Sequence, residues 1–262
     1  MSVLYRPRAW IVNIGNELLV GRIVNSNGAW IARELTLRGV NVKRILVIPD
    51  SIDDIAVTVR DAVSNVDVVV TTGGLGPTDD DMTIEGIAAG LGLPLVLNEQ
   101  ALLMVREFYA KRGLPLTRER VKMAYLVKDA EPIPNPVGAA PGMYVNYRGV
   151  HLFSLPGVPR EMEAMFPWVL QKLEPILPKL CVRERGLTIE GVPESTLAPL
   201  VRKAASLCDS CYVKTHPLGH ETQEPRVEVK VLASAERCEE AEALANKVLE
   251  AVAREVEKLK TG

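Results

Sequence analysis

The chain has no excess charge of either sign: 31 basic residues face 33 acidic ones, for a net charge of −2 over 262 residues. It therefore lacks the basic footprint of a nucleic-acid binder, and with no long run of one sign it carries no charged disordered tail. No window approaches the roughly 18 uninterrupted apolar residues of a membrane span. Its first residues, MSVLYRPRAWIVNIG, are broken by Arg6, Pro7 and Arg8 and do not form a secretory signal, so a cytoplasmic protein is expected. Cysteine is scarce: Cys181, Cys208, Cys211 and Cys238 all lie in the last third. Cys208-Asp-Ser-Cys211 is a CxxC, but a zinc site wants a second close pair, and Cys181 and Cys238 stand singly. Small apolar cysteines or a stabilising disulfide fit better. Few glutamines beside many Arg and Glu fit a thermophile, where intracellular disulfides are less unusual.

What is present is ample apolar content, 47%, and a length that suits one large and one small domain. Ala9–Ile14, Val42–Ile48 and Val66–Thr72 read as strands. Between them, Ser26–Arg38 and Ile52–Val63 have helical spacing, the first closed by Gly39 and the second capped by Ser51. Strands alternating with helices predict an α/β domain with a mostly parallel sheet and helices on both faces. Helices are then expected at Thr83–Leu91 and Glu99–Arg112, followed by a proline-punctuated loop, EPIPNPVGAAPG. Tyr144–Tyr147 and His151–Leu155 read as strands joined at Arg148-Gly149, and a helix opens near Pro159. The pattern changes around Leu173–Arg185, which divides the chain into residues 1–176 and 177–262. The second part reads β-α-β-β-α, a small α+β domain, in which RVEVKVL (Arg226–Leu232) alternates as a half-buried antiparallel strand should.

In open α/β sheets ligands bind at the carboxyl ends of strands. Three distinctive segments fall at such ends: Gly15-Asn16-Glu17, TTGGLGPTDDDMT (Thr71–Thr83) and Leu155-Pro156-Gly157; Asp50, after the second strand, makes a fourth. Gly73, Gly74 and Gly76 let backbone amides approach a phosphate, but the spacing is neither GxxxxGK[ST] nor GxGxxG. Carboxylates beside a phosphate repel it unless a cation intervenes. Asp79, Asp80, Asp81, Glu17 and Asp50 offer only oxygen, the chemistry of magnesium or manganese. Helix capping by the same aspartates explains one or two of them, not three beside three glycines.

GNELLVGRIVNSNGAW (Gly15–Trp30), TTGGLGPTDDDMT, NPVGAAPGMYV (Asn135–Val145), LPGVPREMEAMF (Leu155–Phe166) and GVPES (Gly191–Ser195) resemble the CinA family, in that family's order and over nearly the whole chain. The first part also resembles the wider molybdopterin-binding superfamily of MoaB, MogA and MoeA. The resemblance implies a three-layer αβα MogA-like domain with a small α+β domain after it. It places Gly73, Gly74 and Gly76 on the glycine loop, with Leu75 where MogA-type proteins carry threonine. Asp81 falls on the functional aspartate, Thr83 on the threonine after it, and Asp50 on a second acidic position. Glu17 falls on the acidic residue of a GDE turn whose aspartate is here Asn16, which removes one charge. Asn27 matches the asparagine of the opening helix, and Pro156-Gly157 the LPG turn.

The expected ligand contacts are thus Gly15, Glu17, Asn27, Asp50, Gly73, Gly74, Gly76, Thr78, Thr83, Pro156 and Gly157. Asp80 and Asp81 are the expected catalytic residues, and with Glu17 the expected metal ligands. The implied activity is metal-dependent hydrolysis of the pyrophosphate in ADP-ribose-like dinucleotides. It calls for a divalent ion (magnesium, manganese or cobalt) and potassium as an accessory, with Arg22 or Arg160 assisting. The alternative is a module that holds molybdopterin or a nucleotide without turnover. Full-length bacterial members usually carry a C-terminal nicotinamide-nucleotide amidase domain; with the chain stopping at Gly262, deamidation is not expected. A nucleotide or pterin ligand and a homo-oligomer are the expected partners, with no nucleic acid or membrane. His216 and His220 straddle a turn rather than sharing a helix face, His151 reads as structural, and Arg118, Arg120 and Lys122 as a solvated helix face.

Overall fold

The computed structural model describes residues 5–220 and 223–261. It divides into two compact units, residues 1–36 with 40–177, and residues 37–39 with 178–262.

The first unit runs β1 (Arg8–Ile14), α1 (Asn16–Leu19), α2 (Ser26–Thr36), β2 (Asn41–Ile48), α3 (Ile52–Asn65), β3 (Val68–Thr72), α4 (Thr83–Leu91) and β4 (Leu95–Leu97). It continues through α5 (Glu99–Ala110), α6 (Arg118–Lys122), β5 (Tyr125–Val127), β6 (Glu131–Ile133), β7 (Gly142–Tyr147), β8 (Val150–Leu155) and α7 (Pro159–Leu173). The main sheet has the order β2-β1-β3-β8-β7-β6. The pairs from β2 to β8 are parallel, while β7 and β6 extend the sheet antiparallel. The sheet is therefore mostly parallel, as the alternating pattern predicts.

Alternate residues of β1 face opposite layers. Trp10, Val12 and Ile14 pack with Ile55 and Val59 of α3 and Ile87 and Leu91 of α4. Ala9 and Ile11 pack with Ile31 and Leu35 of α2 and Met162 and Phe166 of α7. Burial on both faces is why VDVVV shows no polar alternation. The Ser51 hydroxyl accepts from the Asp54 amide as an N-cap should (3.4 Å). Between β7 and β8, Arg148 and Gly149 both have positive φ, 53° and 88°, the pair a two-residue type I′ turn requires.

The second unit runs β9 (Cys181–Glu190), α8 (Glu194–Ala205), β10 (Cys211–Pro217), β11 (Arg226–Ala235) and α9 (Cys238–Thr261), the predicted β-α-β-β-α. Its antiparallel sheet, ordered β10-β11-β9, buries Val227, Val229, Val231 and Ala233 against Leu197 and Val201 of α8 and Val248 and Val252 of α9. The cysteines are all in disulfides: Cys208–Cys211 and Cys181–Cys238. The two cysteines that stand singly in sequence are thus partners.

Candidate functional site

The chain runs from β1 to β2 on one side and returns to β3 on the other, which makes the β1/β3 junction a switch point of the sheet. A cavity of about 580 Å³ opens there. Its wall comes from the turns after β1 (Gly15, Glu17), β2 (Asp50), β3 (Gly73 to Pro77) and β8 (Pro156, Gly157). Neighbouring parallel strands bring together segments as far apart in sequence as Gly15 and Gly157. Asn27 at the start of α2, Asp80, Asp81 and Glu161 also line it, with Tyr109, Met123, Ala139 and Ala140.

Glycine is required in the loop after β3. Gly73 has φ 107° and Gly74 φ 63°, both in the left-handed range. A Cβ on Gly73 would lie 2.1 Å from the Ile14 carbonyl oxygen, and one on Gly76 would lie 2.5 Å from Asp81 Oδ2. In the glycine loop expected to cradle a phosphate, the amide of Gly73 is already spent in the sheet, donating to Leu155 O at 3.0 Å. The Thr83 hydroxyl, wholly buried, donates to Gly73 O at 2.8 Å, and its amide to Gly74 O at 3.2 Å. Thr83 is therefore a post that holds the loop from behind and does not line the cavity. Thr78 does not line it either: its amide and hydroxyl donate to Asp81 Oδ2 at 2.9 and 2.5 Å. Lys122 Nζ clasps the same turn through Thr78 O at 2.7 Å and sits 3.7 Å from Glu85. The residue read as part of a solvated face is thus a fastener of the acidic loop.

Among the described residues five carboxylates line the cavity, Glu17, Asp50, Asp80, Asp81 and Glu161, and no Lys, Arg or His does. Arg22, Arg160 and Asp79 are not in its wall. The Thr78 hydroxyl, Asp80's own amide and Lys122 hold the Asp80 carboxyl below the usual carboxylate range. That hydroxyl has one proton, and at 2.5 Å it goes to Asp81; the amide and Lys122 remain for Asp80. Asp50 accepts from the Asn16 amide at 2.8 Å. Asp81 turns Oδ2 to Thr78, and Glu17 folds back over Gly15, 2.4 Å from where a Cβ would lie. Glu17, Asp80 and Asp81 thus share a cavity without converging: among the described residues no three His, Cys, Asp or Glu stand close enough to hold a metal unaided. An oxygen-only wall of this kind still suits a hard ion of the magnesium type, which takes one or two carboxylates and completes its shell from ligand phosphates and water.

Two groups of residues had no role assigned from sequence. Asn135 organises NPVGAAPG: its Oδ1 accepts from the amides of Val137 (3.1 Å) and Gly138 (2.7 Å), and its Nδ2 donates to Ala140 O (2.9 Å) and Glu161 Oε2 (2.7 Å). That network sets the Ala139–Ala140 wall. Asn13, wholly buried near the end of β1, donates from Nδ2 to Leu46 O at 2.9 Å. Its one sequence signal is an amide interrupting the apolar run AWIVNI. Asn27, foreseen as a contact, donates to Thr72 Oγ1 (3.0 Å) and Gly157 O (2.9 Å). His216 lies in β10 and His220 beyond it, in no metal-ligating group among the described residues.

Fold and site together define an α/β protein with a glycine-loop cavity at the sheet's switch point. A family model described as a probable molybdopterin binding domain matches residues 10–179, and the chain belongs to this family. The chain is 43% identical to a protein CinA from Thermoplasma acidophilum, with a TM-score of 0.60 over 63% of this chain and 98% of that one. A protein from Aeropyrum pernix is 54% identical over 97% of this chain and 95% of its own length. One from Pyrobaculum aerophilum is 46% identical over 97% and 96%. No described helix is long and apolar enough to cross a membrane.

Proposed function

We propose that the first unit binds a phosphorylated pterin of the molybdopterin type, or a nucleotide, with its phosphate on the Gly74–Gly76 turn and a divalent cation between phosphate and carboxylates. The observation that carries this reading is the cavity's wall: a glycine loop beside five carboxylates and, among the described residues, no cationic side chain. A phosphate charge about 4 Å from one carboxylate costs about 4 kcal/mol at an effective dielectric of 20, so the ligand would enter with its own counterion. Asp80, its carboxyl held below the usual carboxylate range, and Asp81, whose Oδ2 alone is taken by Thr78, would share that ion with the ligand phosphate and water. The family to which the chain belongs supports a pterin ligand.

A second reading, metal-dependent hydrolysis of a dinucleotide pyrophosphate such as ADP-ribose, is favoured by the same carboxylates. A bound divalent ion would supply charge neutralisation at the pyrophosphate and a lower pKa for an attacking water. The chain's own part would be to hold the non-bridging oxygens at the glycine turn and to offer the Asp80 and Asp81 carboxylates to the ion. The test is calorimetric titration of metal-stripped protein with a pterin monophosphate and with ADP-ribose, with magnesium, manganese or cobalt added back, each with and without potassium, while AMP release is followed. Metal-dependent binding without AMP supports the first reading, and metal-dependent AMP release lost in Asp81→Asn the second. Absence of any affinity overturns both.

A further inference from the structure

At the inner wall of the cavity two carboxamide oxygens have no donor. Asn13 is wholly buried and Asn27 is 8% exposed; both line the cavity, and the Oδ1 of each is buried without a hydrogen-bond partner. The orientation of each amide is fixed by what it faces. Leu46 O and Gly157 O can only accept, so it is Nδ2 that points at them. The Thr72 hydroxyl gives its proton to Pro156 O at 2.8 Å, so toward Asn27 it too accepts. Asn13 pairs with Thr72 across β1 and β3, and Asn27 at the start of α2 donates to that same Thr72, which brings the two residues together. Folded proteins seldom leave buried acceptors unpaired, and here two line one cavity.

Both oxygens call for a donor, and the surroundings narrow its chemistry. A hard cation would want about six to eight oxygens. The neighbouring oxygens of Thr72, Pro156, Gly157 and Leu46 are already engaged, which leaves two. Leu18, Ile23, Leu75 and Met123 supply apolar wall of the kind that flanks a flat ring. We infer that Asn13 and Asn27 are specificity-determining residues that accept hydrogen bonds from the ring N–H and amino groups of a nitrogen heterocycle whose phosphate lies on the glycine turn. This rests on the binding reading above and adds to it which end of the ligand the amides recognise. A pterin, with a ring N–H beside an amino group, has the required donors.

The test compares three probes on the full chain with magnesium: 6-hydroxymethylpterin monophosphate, its 2-desamino analogue, and inorganic pyrophosphate, which reads the phosphate turn alone. The native protein should bind the aminopterin about tenfold more tightly than the desamino compound, the worth of one well-placed hydrogen bond. In Asn13→Leu, which keeps the branched shape but has no acceptor, the ratio of pterin to pyrophosphate affinity should fall about tenfold. Its melting temperature without ligand should fall, because Leu46 O loses its donor and a larger side chain must be accommodated, so the ratio carries the test. A merely structural Asn13 would lower stability with the ratio unmoved. Equal affinity of the native chain for both pterins overturns the inference without need of any variant. A native chain that binds pyrophosphate and both pterins alike overturns the asparagine reading alone; one that binds none of the three overturns the binding reading with it.

Discussion

Gly73 and Gly92 both have positive φ, 107° and 66°, yet they are not equivalent. Gly92 caps α4, and a Cβ there would meet nothing within 4 Å. A Cβ on Gly73 would meet Ile14 O at 2.1 Å, and that backbone belongs to the strand supplying the other side of the cavity. Gly92→Ala should therefore cost only the left-handed backbone term, about 1 kcal/mol. Gly73→Ala should cost upward of about 3 kcal/mol, since strain and collision add, and should abolish affinity for a phosphorylated ligand. Urea melts of the two variants with pyrophosphate titrations check both; a Gly73→Ala protein as stable as Gly92→Ala would refute the geometry assigned to the loop. The need for glycine was legible in GGLG. Which residues face the ligand was not: Thr83 and Thr78 follow the motif as closely as Asp81, and only the fold shows that they hold the loop from within.

At the scale of elements, the strands with buried apolar runs and the helices with caps were legible because each has its own local signal. Four-residue α1 and the three-residue pair β4 and β5 are too short to complete a period and were not foreseen. The β7–β8 hairpin was foreseen from its turn, and it carries a titratable group whose effect has a definite sign. Burial and the Lys172 ammonium depress the pKa of His151, whose Nδ1 lies 3.0 Å from the Tyr144 hydroxyl. Lys172 is itself paired with Glu131 at 2.7 Å. A histidine with a depressed folded pKa contributes stability that is complete above its unfolded pKa of about 6.5, and lost as pH falls from there through the folded value. Melting temperature should accordingly drop between pH 7.5 and 5.5 more in the native protein than in His151→Gln. Parallel pH profiles for the two proteins would show that this imidazole does not titrate against the fold.

Over the whole molecule, the two disulfides lie in one of the two units, the one from which no described residue enters the wall of the 580 Å³ cavity. Cys181 and Cys238 looked solitary because 57 residues separate them. They meet because β9 runs antiparallel to β11 and sets Cys181 opposite Ala235, where the chain turns into α9. Pairing of this kind depends on strand register, which no local pattern encodes. Cys208 follows the C-terminal end of α8, where the helix dipole disfavours a thiolate, so this CxxC lacks the activation of a redox catalyst and acts as a staple. By loop closure the 57-residue link should contribute about 4 kcal/mol and the short one about 2 kcal/mol. A unit this small has a modest core, so such terms are a large part of its stability. Reductant should therefore speed amide exchange in β9, β11 and α9 and leave β1, β3 and β8 as protected as before. Cys181→Ser should reproduce most of that effect and Cys208→Ser less of it. Exchange that rises equally in both units would mean that the staples hold the whole chain, and exchange that does not rise would mean that the β9–β11–α9 core suffices without them.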